Sequence, residues 1–303
     1  MAMSNPGLLT LLLGTIILRP YVFVFLVVYL VASTLQFGLK RTLGFTVGGY
    51  LLVFLAEYSS TRTGFPFGFY YYIDTTRQQE LWISNVPFMD SLSFTFLAYA
   101  SYATALFLCA PLWRTRRDVQ VIDTKAIRRS PSVLALAVMF FVLIDMIIDP
   151  VALRGSRWFL GQIYGYYEVG IYFGVPLANF LGWGIVGLVL ITWHRLLDGV
   201  FRQRPQWRRD RGVCWIPMRG LLGPSLYLGV YGFNVYITFY IEAYLLGLVD
   251  LFLLTPLLIL AWTQVVRPSN RATKADLEAH LRDFPHSPLD RLRHRIGNPT
   301  EQT

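Results

Sequence analysis

Long apolar runs constrain this chain more than any other feature of its sequence. Several stretches reach the ~17–25 apolar residues that a helix needs to cross a bilayer. Only 15% of the residues are charged and 54% are hydrophobic, whereas a soluble domain carries about a quarter charged residues. Because backbone groups inside lipid must bond within their own segment, such runs predict helices. The sequence therefore predicts an all-α, polytopic transmembrane bundle of about seven spans.

The predicted transmembrane domain covers residues 1–266, and a polar cytoplasmic tail covers residues 267–303. The candidate spans are residues 21–38, 43–58, 88–112, 131–149, 171–194, 222–241 and 248–266. The apolar run 7–18 is too short to cross alone and stops at Arg19-Pro20. It is either an interfacial or re-entrant piece or the start of a kinked first helix. In the tail we expect a short surface helix over 273–284 and partial disorder.

The distribution of basic residues predicts the orientation. Of the 27 Lys and Arg residues, 22 lie in segments that follow odd-numbered spans, namely 40–41, 113–130, 195–220 and the tail. Lys and Arg favour cytoplasmic loops, so we expect the N-terminus outside and the C-terminus in the cytoplasm. The protein is then a multi-pass protein of the cell (inner) membrane. Its net charge of +9 reflects this topology, and the expected partner is the lipid bilayer rather than nucleic acid.

Several chemistries lack their sequence signatures. The two cysteines, Cys109 and Cys214, have no metal-ligand spacing and do not indicate a disulfide framework. Four histidines are too few for the several His boxes of a membrane di-iron enzyme. The sequence contains no Walker motif, dinucleotide fingerprint, nucleophile elbow or HExxH. Metal-free acid–base chemistry and carboxylate-bound Mg²⁺ remain.

Acidic residues concentrate at the predicted outer ends of the spans. Glu57, Asp145, Asp149 and Glu242 close three of these spans, and Asp90 opens another. An ionisable group near hydrocarbon marks a candidate site if it faces the bundle interior. Asp145 and Asp149 are four residues apart and share a helix face, where repulsion and burial can keep one carboxyl protonated. Simple polar capping of helix ends is the alternative, particularly for Asp90.

Two outer loops rich in aromatic residues, Gly and Pro flank these acids. The first contains TRTGFPFGFYYY at 61–72, and the second follows Asp149. The rings form either an interfacial belt or a groove for a long apolar substrate, where they could stabilise a carbocation by roughly 0.5–2 kcal/mol. We interpret the first loop as a lid that Arg62 ties to an acid beneath it. Asn179, inside the fifth span, needs a carboxyl group, an ordered water or a neighbouring helix as its partner.

Four sequence blocks together resemble the carotenoid biosynthesis protein family. The blocks are Glu57 with TRTGFPFGFYYY, NVPF at 85–88, DMIIDP at 145–150 and YFGVPLANFLGW at 172–183. The resemblance covers roughly residues 45–190. The family includes carotenoid 1,2-hydratases of the γ-carotene and bisanhydrobacterioruberin type. The resemblance implies a hydro-lyase without cofactor or metal, which adds water to the terminal 1,2 double bond of an acyclic carotenoid end group.

In that reaction, a carboxylic acid would protonate C2, and water would capture the tertiary cation at C1. We assign Asp145 or Glu57 as the proton donor, Asp149 as its coupled partner, and Asn179 and Tyr70 as residues that position water. The candidate substrate-binding residues are Arg62, Phe67, Tyr70, Tyr164, Glu168, Tyr172, Trp183 and Glu242. The expected partners are a membrane-embedded carotenoid or another isoprenoid and other enzymes of the pathway. MDSLSF after NVPF and a tyrosine-rich second loop depart from the hydratase pattern, so a different isoprenoid stays open.

Two other functions compete with hydration. Asp145 and Asp149 could form the metal pair of a Mg²⁺-dependent membrane prenyltransferase, although no second Asp-rich motif is obvious and the pair is predicted outside. A non-enzymatic lipid or ion transporter could use the outer acids for ion coupling, although no inverted repeat or paired broken helices are evident. Activity that survives EDTA would separate hydratase from prenyltransferase, and proton-dependent flux would reveal a transporter.

Overall fold

The computed structural model describes residues 6–159, 161–200 and 215–296. Its α-helices are α1 Leu8–Leu18, α2 Pro20–Phe37, α3 Leu39–Thr63, α4 Phe88–Cys109, α5 Lys125–Arg128, α6 Pro131–Ala152, α7 Leu177–Val200, α8 Leu222–Tyr240, α9 Tyr244–Val266 and α10 Lys274–Asp283. Its strands are β1 Tyr70–Tyr72, β2 Trp82–Ile83, β3 Val86–Pro87, β4 Leu112–Thr115, β5 Asp118–Val121 and β6 Tyr164–Tyr166.

The architecture confirms an all-α polytopic bundle. In the described residues, six helices are long and apolar enough to cross a membrane, namely α2, α3, α4, α6, α7 and α9. Helix α8 occupies the predicted sixth span with 19 residues, but its glycines, tyrosines and asparagine make it more polar, and it is not among those six. About seven predicted spans therefore correspond to six such helices and α8. The orientation of the termini stays a prediction.

The start of α7 differs from the predicted boundary for a local reason, whereas the run 7–18 ends at Arg19-Pro20 as predicted. Helix α7 begins at Leu177 rather than 171, because residues 170–175 form β-bridges and Pro176 follows them. The run 7–18 is a separate helix, α1, which stops before Arg19. The Arg19 side chain is buried in an ion pair with Glu80, 3.0 Å away. Both alternatives, an interfacial or re-entrant piece and the start of a kinked first helix, stay predictions.

Helix α4 forms the centre of the bundle. In its most apolar window 83% of the residues are buried, against 22% in α2. Small residues in α4 allow neighbouring helices to approach closely, as at other helix contacts in membranes. At Gly223 of α8, an added Cβ would lie only 2.2 Å from the Cβ of Ala103. The other long helices therefore pack around α4 and leave one face of each exposed.

The two aromatic loops meet at one end of the bundle. Strand β1 pairs antiparallel with β6, and Tyr70 lies opposite Tyr166 while Tyr72 lies opposite Tyr164. This small sheet brings the loop after α3 next to the loop after α6. We call this end, which carries residues 64–87 and 153–176, the site end. The opposite end, with the β4–β5 hairpin and residues 267–296, is called the tail end.

The tail residues that the structure describes are folded. The predicted short helix is present as α10, and Thr273 and Asp276 form a capping box at its start. Leu277 and Leu281 of α10 belong to the same buried apolar cluster as Trp113 of the β4–β5 hairpin. Residues 267–296 thus pack on the hairpin. Residues 297–303, where the remainder of the predicted partial disorder falls, lie outside the described residues.

Candidate active site

A cavity lies inside the bundle at the site end. Its volume is about 120 Å³, below the ~300–1,000 Å³ of pockets that hold a whole drug-sized ligand. Residues from six helices and from both aromatic loops form its wall. Helices α2 and α8 contribute mainly rings and aliphatic groups. Carboxyl, amide and phenol groups come from α3, α4, α6, α7 and the β1–β6 sheet.

Most of the predicted site residues belong to this cavity. Those on its wall are Glu57, Phe67, Tyr70, Asp149, Tyr164, Asn179 and Trp183. The loop after α3 covers the cavity closely because it packs on α7. An added Cβ at Gly182 would lie 2.6 Å from the carbonyl oxygen of Pro66, so glycine permits this approach. The loop is also fixed by a 2.8 Å hydrogen bond from the Phe67 amide to the Ser60 hydroxyl.

Tyr72 connects two carboxyl groups from different helices. Its hydroxyl lies 2.9 Å from Oε1 of Glu57 in α3 and 2.6 Å from Oδ2 of Asp90 in α4. The Ser91 hydroxyl donates to the other oxygen of Glu57. A phenol has one hydrogen to donate. Both contacts of Tyr72 can therefore be hydrogen bonds only when Glu57 or Asp90 carries a proton.

The tyrosines around the acids remain neutral phenols. Burial, together with the nearby Asp90 and Glu57 carboxyls, holds the pKa of Tyr72 well above its ordinary value. Burial and the adjacent Asp149 carboxyl raise the pKa of Tyr164 and of Tyr166 in the same way. All three phenols consequently keep their hydrogens near neutral pH, and they serve the acids as hydrogen-bond donors.

Asp149 accepts three hydrogen bonds from neutral donors. Tyr164 donates to Oδ1 at 2.8 Å, Tyr166 donates to Oδ2 at 2.7 Å, and the Asn179 amide donates to Oδ2 at 2.8 Å. Tyr164 and Tyr166 reach it from one strand because alternate residues of β6 project to the same side. An ionised carboxylate is a pure acceptor, and this set of three donors suits one.

Asp145 lies behind this layer. The Asn179 amide also donates to Oδ2 of Asp145, at 2.8 Å, so the predicted partner of Asn179 is a carboxyl group, here two of them. Asp145 is fully buried and does not belong to the cavity wall. The role of Asp145 as proton donor stays a prediction, and the structure connects its carboxyl group to the cavity through Asn179 and Asp149.

The same geometry bears on the predicted metal pair. Asn179 directs its amide hydrogens at both Asp145 and Asp149, where a cation shared by the two carboxyls would need oxygen ligands instead. Across the described ranges 6–159, 161–200 and 215–296, no group of three or more His, Cys, Asp or Glu side chains could hold a metal ion. The pair fits a hydrogen-bonded acid cluster better than a magnesium site.

Arg62 has a different partner from the predicted one. Its guanidinium donates to the side-chain oxygen of Asn85 at 2.8 Å and lies 3.4 Å from the centre of the Tyr58 ring. The prediction that Arg62 holds a carboxylate is wrong, because the accepting group is an amide. Arg62 instead links the end of α3 to the turn between β2 and β3.

Three further predicted binding residues lie away from the cavity wall. Glu168 and Glu242 are exposed, and Glu242 lies in the turn between α8 and α9. Tyr172 is half-buried, with its ring 5.4 Å from that of Phe180. Burial, with Asp250 and Asp145 nearby, raises the pKa of Tyr172 to about 12. The structure therefore does not bring these three residues to the cavity.

Sequence reasoning missed three polar residues of the site. Tyr72, Asp90 and Tyr166 all belong to the cavity wall, and each takes part in the hydrogen bonds to the acids. For Asp90, the sequence left open a place in the acidic site or simple capping of its helix. The YYY triplet contained a usable signal, because a strand period of two places Tyr70 and Tyr72 on one side and Tyr71 on the other. Tyr71 is 41% exposed, as that alternation requires.

Together, the apolar helices and the buried acidic cavity define a multi-pass membrane protein with a polar internal site. The family model for carotenoid biosynthesis proteins matches residues 7–254, and the chain belongs to that family. The matched range contains every residue of the cavity wall. A search of curated proteins and a search of solved structures each found no match. Family membership makes this a membrane protein of carotenoid biosynthesis.

Proposed function

We propose that this protein is a hydratase that adds water across the terminal 1,2 double bond of an acyclic carotenoid end group. The observation that supports this most strongly is the presence of two separate acid groups on one largely aromatic cavity. One group is Glu57 and Asp90 joined by Tyr72, and the other is Asp149 with its three donors. Hydration of an alkene needs one acid to donate a proton and another group to accept one from water.

Protonation begins at the Glu57–Tyr72–Asp90 group. Glu57 belongs to the cavity wall, whereas Asp145 does not, and this difference selects Glu57 between the two predicted donors. The O–H bond of the Glu57 carboxyl breaks, and its proton forms a C–H bond at C2 with the electron pair of the double bond. C1 becomes a tertiary cation. Asp90 and Tyr72 share the charge that remains on Glu57 through their hydrogen bonds.

The cation is held beside aromatic faces. Phe94 and Trp183 stack with their ring centres 4.3 Å apart, and the Phe67 ring lies 6.4 Å from Trp183. All three side chains belong to the cavity wall. Attraction between a cation and such a ring is worth about 0.5–2 kcal/mol. These rings therefore lower the energy of the cation while they exclude bulk water.

Water capture takes place at Asp149. A water molecule, positioned by Asn179 and Tyr70, forms the C–O bond at C1 and gives one proton to the Asp149 carboxylate. The product is a tertiary alcohol, and the net change is the addition of one water. Return of the proton from Asp149 to Glu57 restores the enzyme, so the reaction consumes no oxidant, reductant or cofactor.

The direct test is expression in a bacterium engineered to accumulate lycopene, followed by pigment analysis with liquid chromatography and mass spectrometry. We expect a product heavier by one water. Membranes incubated in D₂O should give a product with one non-exchangeable deuterium at C2, and EDTA should not stop the reaction. The variant Asp74→Asn, which changes an exposed acid in the loop after α3, is the control and should remain active. Unchanged lycopene beside folded protein would contradict the proposal.

A further inference from the structure

The cavity has a side that the proposed chemistry does not use. Helix α2 contributes Tyr21 and Phe25 to it, and helix α8 contributes Phe233. Trp158, from the loop after α6, completes this side. None of these residues hydrogen-bonds to the acids, and their shared property is a large ring. This side of the cavity lies across the bundle between two helices that both have exposed faces.

The four rings pack on one another. Tyr21 and Phe233 stack with their centres 5.3 Å apart, and Phe25 meets Phe233 edge to face at 5.9 Å. Trp158 lies 6.2 Å from Tyr21. The Trp158 indole donates to the carbonyl oxygen of Val151 at 3.2 Å, which fixes one side of the cluster. Contacts between rings hold the other side, and ring rotation can open it without a change of backbone.

The same rings form part of the outer surface. Tyr21, Phe25, Trp158 and Phe233 are only partly buried, although all of them line the cavity. They form an aromatic wall between the cavity and the exposed faces of α2 and α8, and the exposed ring of Phe159 also packs on Tyr21 and Trp158. In a bilayer, those apolar faces meet lipid tails.

Two glycines leave the exposed face of α8 without side chains beside this wall. Gly229 and Gly232 both lie on its exposed face. A Cβ at Gly232 would meet no atom within 4 Å, and one at Gly229 would meet only the edge of the Phe25 ring at 3.9 Å. The missing side chains leave a shallow groove that leads along α8 to Phe25 and Phe233.

We propose that the gap between α2 and α8 is a lateral portal, through which a carotenoid passes from the bilayer and along which its polyene chain lies while one end reacts. This inference rests on the proposed function, because it assumes a long isoprenoid substrate. A cavity of about 120 Å³ holds only part of such a substrate, because a carotenoid approaches the ~30 Å hydrocarbon thickness of the bilayer. The remainder of the chain must therefore leave the cavity, and the aromatic wall separates it from the exposed faces of α2 and α8.

The portal is tested by filling the groove from outside. Gly232→Trp places an indole in open space on α8, and replacing a helical glycine favours the helix. The matched control is Val47→Trp on the exposed face of α3, where Val47 is 61% exposed. Each protein is expressed in the lycopene-accumulating bacterium, and both hydrated product and lycopene retained on the purified protein are measured. We expect Gly232→Trp to lower both quantities at least tenfold relative to Val47→Trp.

The two readouts separate failure of the portal from failure of the hydratase proposal. Wild-type protein that retains lycopene without hydrating it would contradict the proposed reaction, and the portal would then be judged by retention alone. Equal retention in Gly232→Trp and Val47→Trp would overturn the portal. If Gly232→Trp does not fold, the smaller change Gly229→Leu makes the same test, because a side chain there meets only the edge of the Phe25 ring.

Discussion

The acids of the cavity and the buried acids of the tail end lie in opposite surroundings. At the tail end, Asp123 and Asp198 bond to guanidinium groups: Arg128 contacts Asp123 at 2.5 Å and Asp198 at 3.1 Å, and Arg41 also pairs with Asp198. At the site end, the acids of the cavity bond to phenol, hydroxyl and amide groups. The described residues around the cavity include no Lys or Arg on its wall.

The hydrogen-bond partners of a buried carboxyl group decide whether it stays charged. A buried carboxylate that faces a guanidinium stays charged and links the elements around it, because loss of either partner leaves an uncompensated charge. Burial alone would raise the pKa of Asp123, but Arg128 and His280 outweigh it and hold the pKa below its ordinary value. A buried carboxyl among neutral donors can exist with or without its proton, as a general acid or base must. Under the proposed function, the acids of the cavity transfer protons, whereas the ion-paired acids of the tail end stabilise the fold.

The largest expected effect on stability is at the tail end. Arg128→Ala removes the partner of both Asp123 and Asp198, and breaking such a buried ion pair costs about 3–5 kcal/mol. We expect a clear fall in the unfolding midpoint in detergent, with unchanged hydration per folded molecule. Arg293→Ala is the control, because Arg293 and its partner Asp290 are mostly exposed and such pairs contribute little. Equal midpoints for the two variants would show that the ion pairs of Arg128 do not stabilise the fold.

The next largest effect is on activity at the site end. Asp149→Asn replaces an acceptor of three hydrogen bonds with a group that cannot take a proton from water. General acid–base groups contribute roughly 10²–10⁴-fold, so we expect the hydration rate to fall at least about 100-fold. Rates are compared at equal amounts of folded protein, with Asp74→Asn as the control. A variant that keeps more than a tenth of the wild-type rate would exclude Asp149 as the proton acceptor.

A smaller effect is expected in the pH dependence of stability. The folded pKa of Asp123 lies below the unfolded value of about 3.9. Its contribution is therefore present above the unfolded pKa and is lost as the pH falls through the folded pKa. Unfolding in detergent should show wild-type stability decreasing below about pH 4 more steeply than that of Asp123→Asn. If the stability of wild type and of Asp123→Asn falls in parallel with pH, the ion pair of Asp123 does not stabilise the fold.

The smallest effect is expected at Arg62. Arg62→Ala removes hydrogen bonds to Asn85 and the contact with the Tyr58 ring, all of them at an exposed part of the loop. We expect hydration to change less than about threefold, because surface contacts of this kind contribute at most about 1 kcal/mol. A loss comparable with that of Asp149→Asn would restore the predicted link between Arg62 and an acid.

The sequence predicted the helices well because long apolar runs leave few alternatives in a bilayer. It also predicted that the two aromatic loops flank one acidic site. Which helix forms the centre depends on small residues spread through α4, and a hydropathy pattern does not reveal it. The folded tail was hidden for a related reason. Its apolar residues are few, and Leu277 and Leu281 are buried only because Trp113, far away in the chain, lies beside them.

The site was predicted less completely because it depends on how each helix is rotated about its axis and on which side chains touch in the folded chain. A spacing of four residues places Asp145 and Asp149 on one helix face, but only Asp149 lies a turn closer to the β1–β6 sheet and belongs to the cavity wall. Asp90 lies in the first turn of α4, where an acid also complements the helix dipole. Its second role became visible only when Tyr72 was found 2.6 Å away.

The central claim is that the proton comes from the acid on the cavity wall and not from the acid behind it. The most direct measurement compares the hydration rates of Glu57→Gln and Asp145→Asn on lycopene, at equal amounts of folded protein. Both changes remove one titratable proton and keep the size of the side chain. We predict a loss of at least about 100-fold for Glu57→Gln and less than tenfold for Asp145→Asn. An active Glu57→Gln beside an inactive Asp145→Asn would contradict the account.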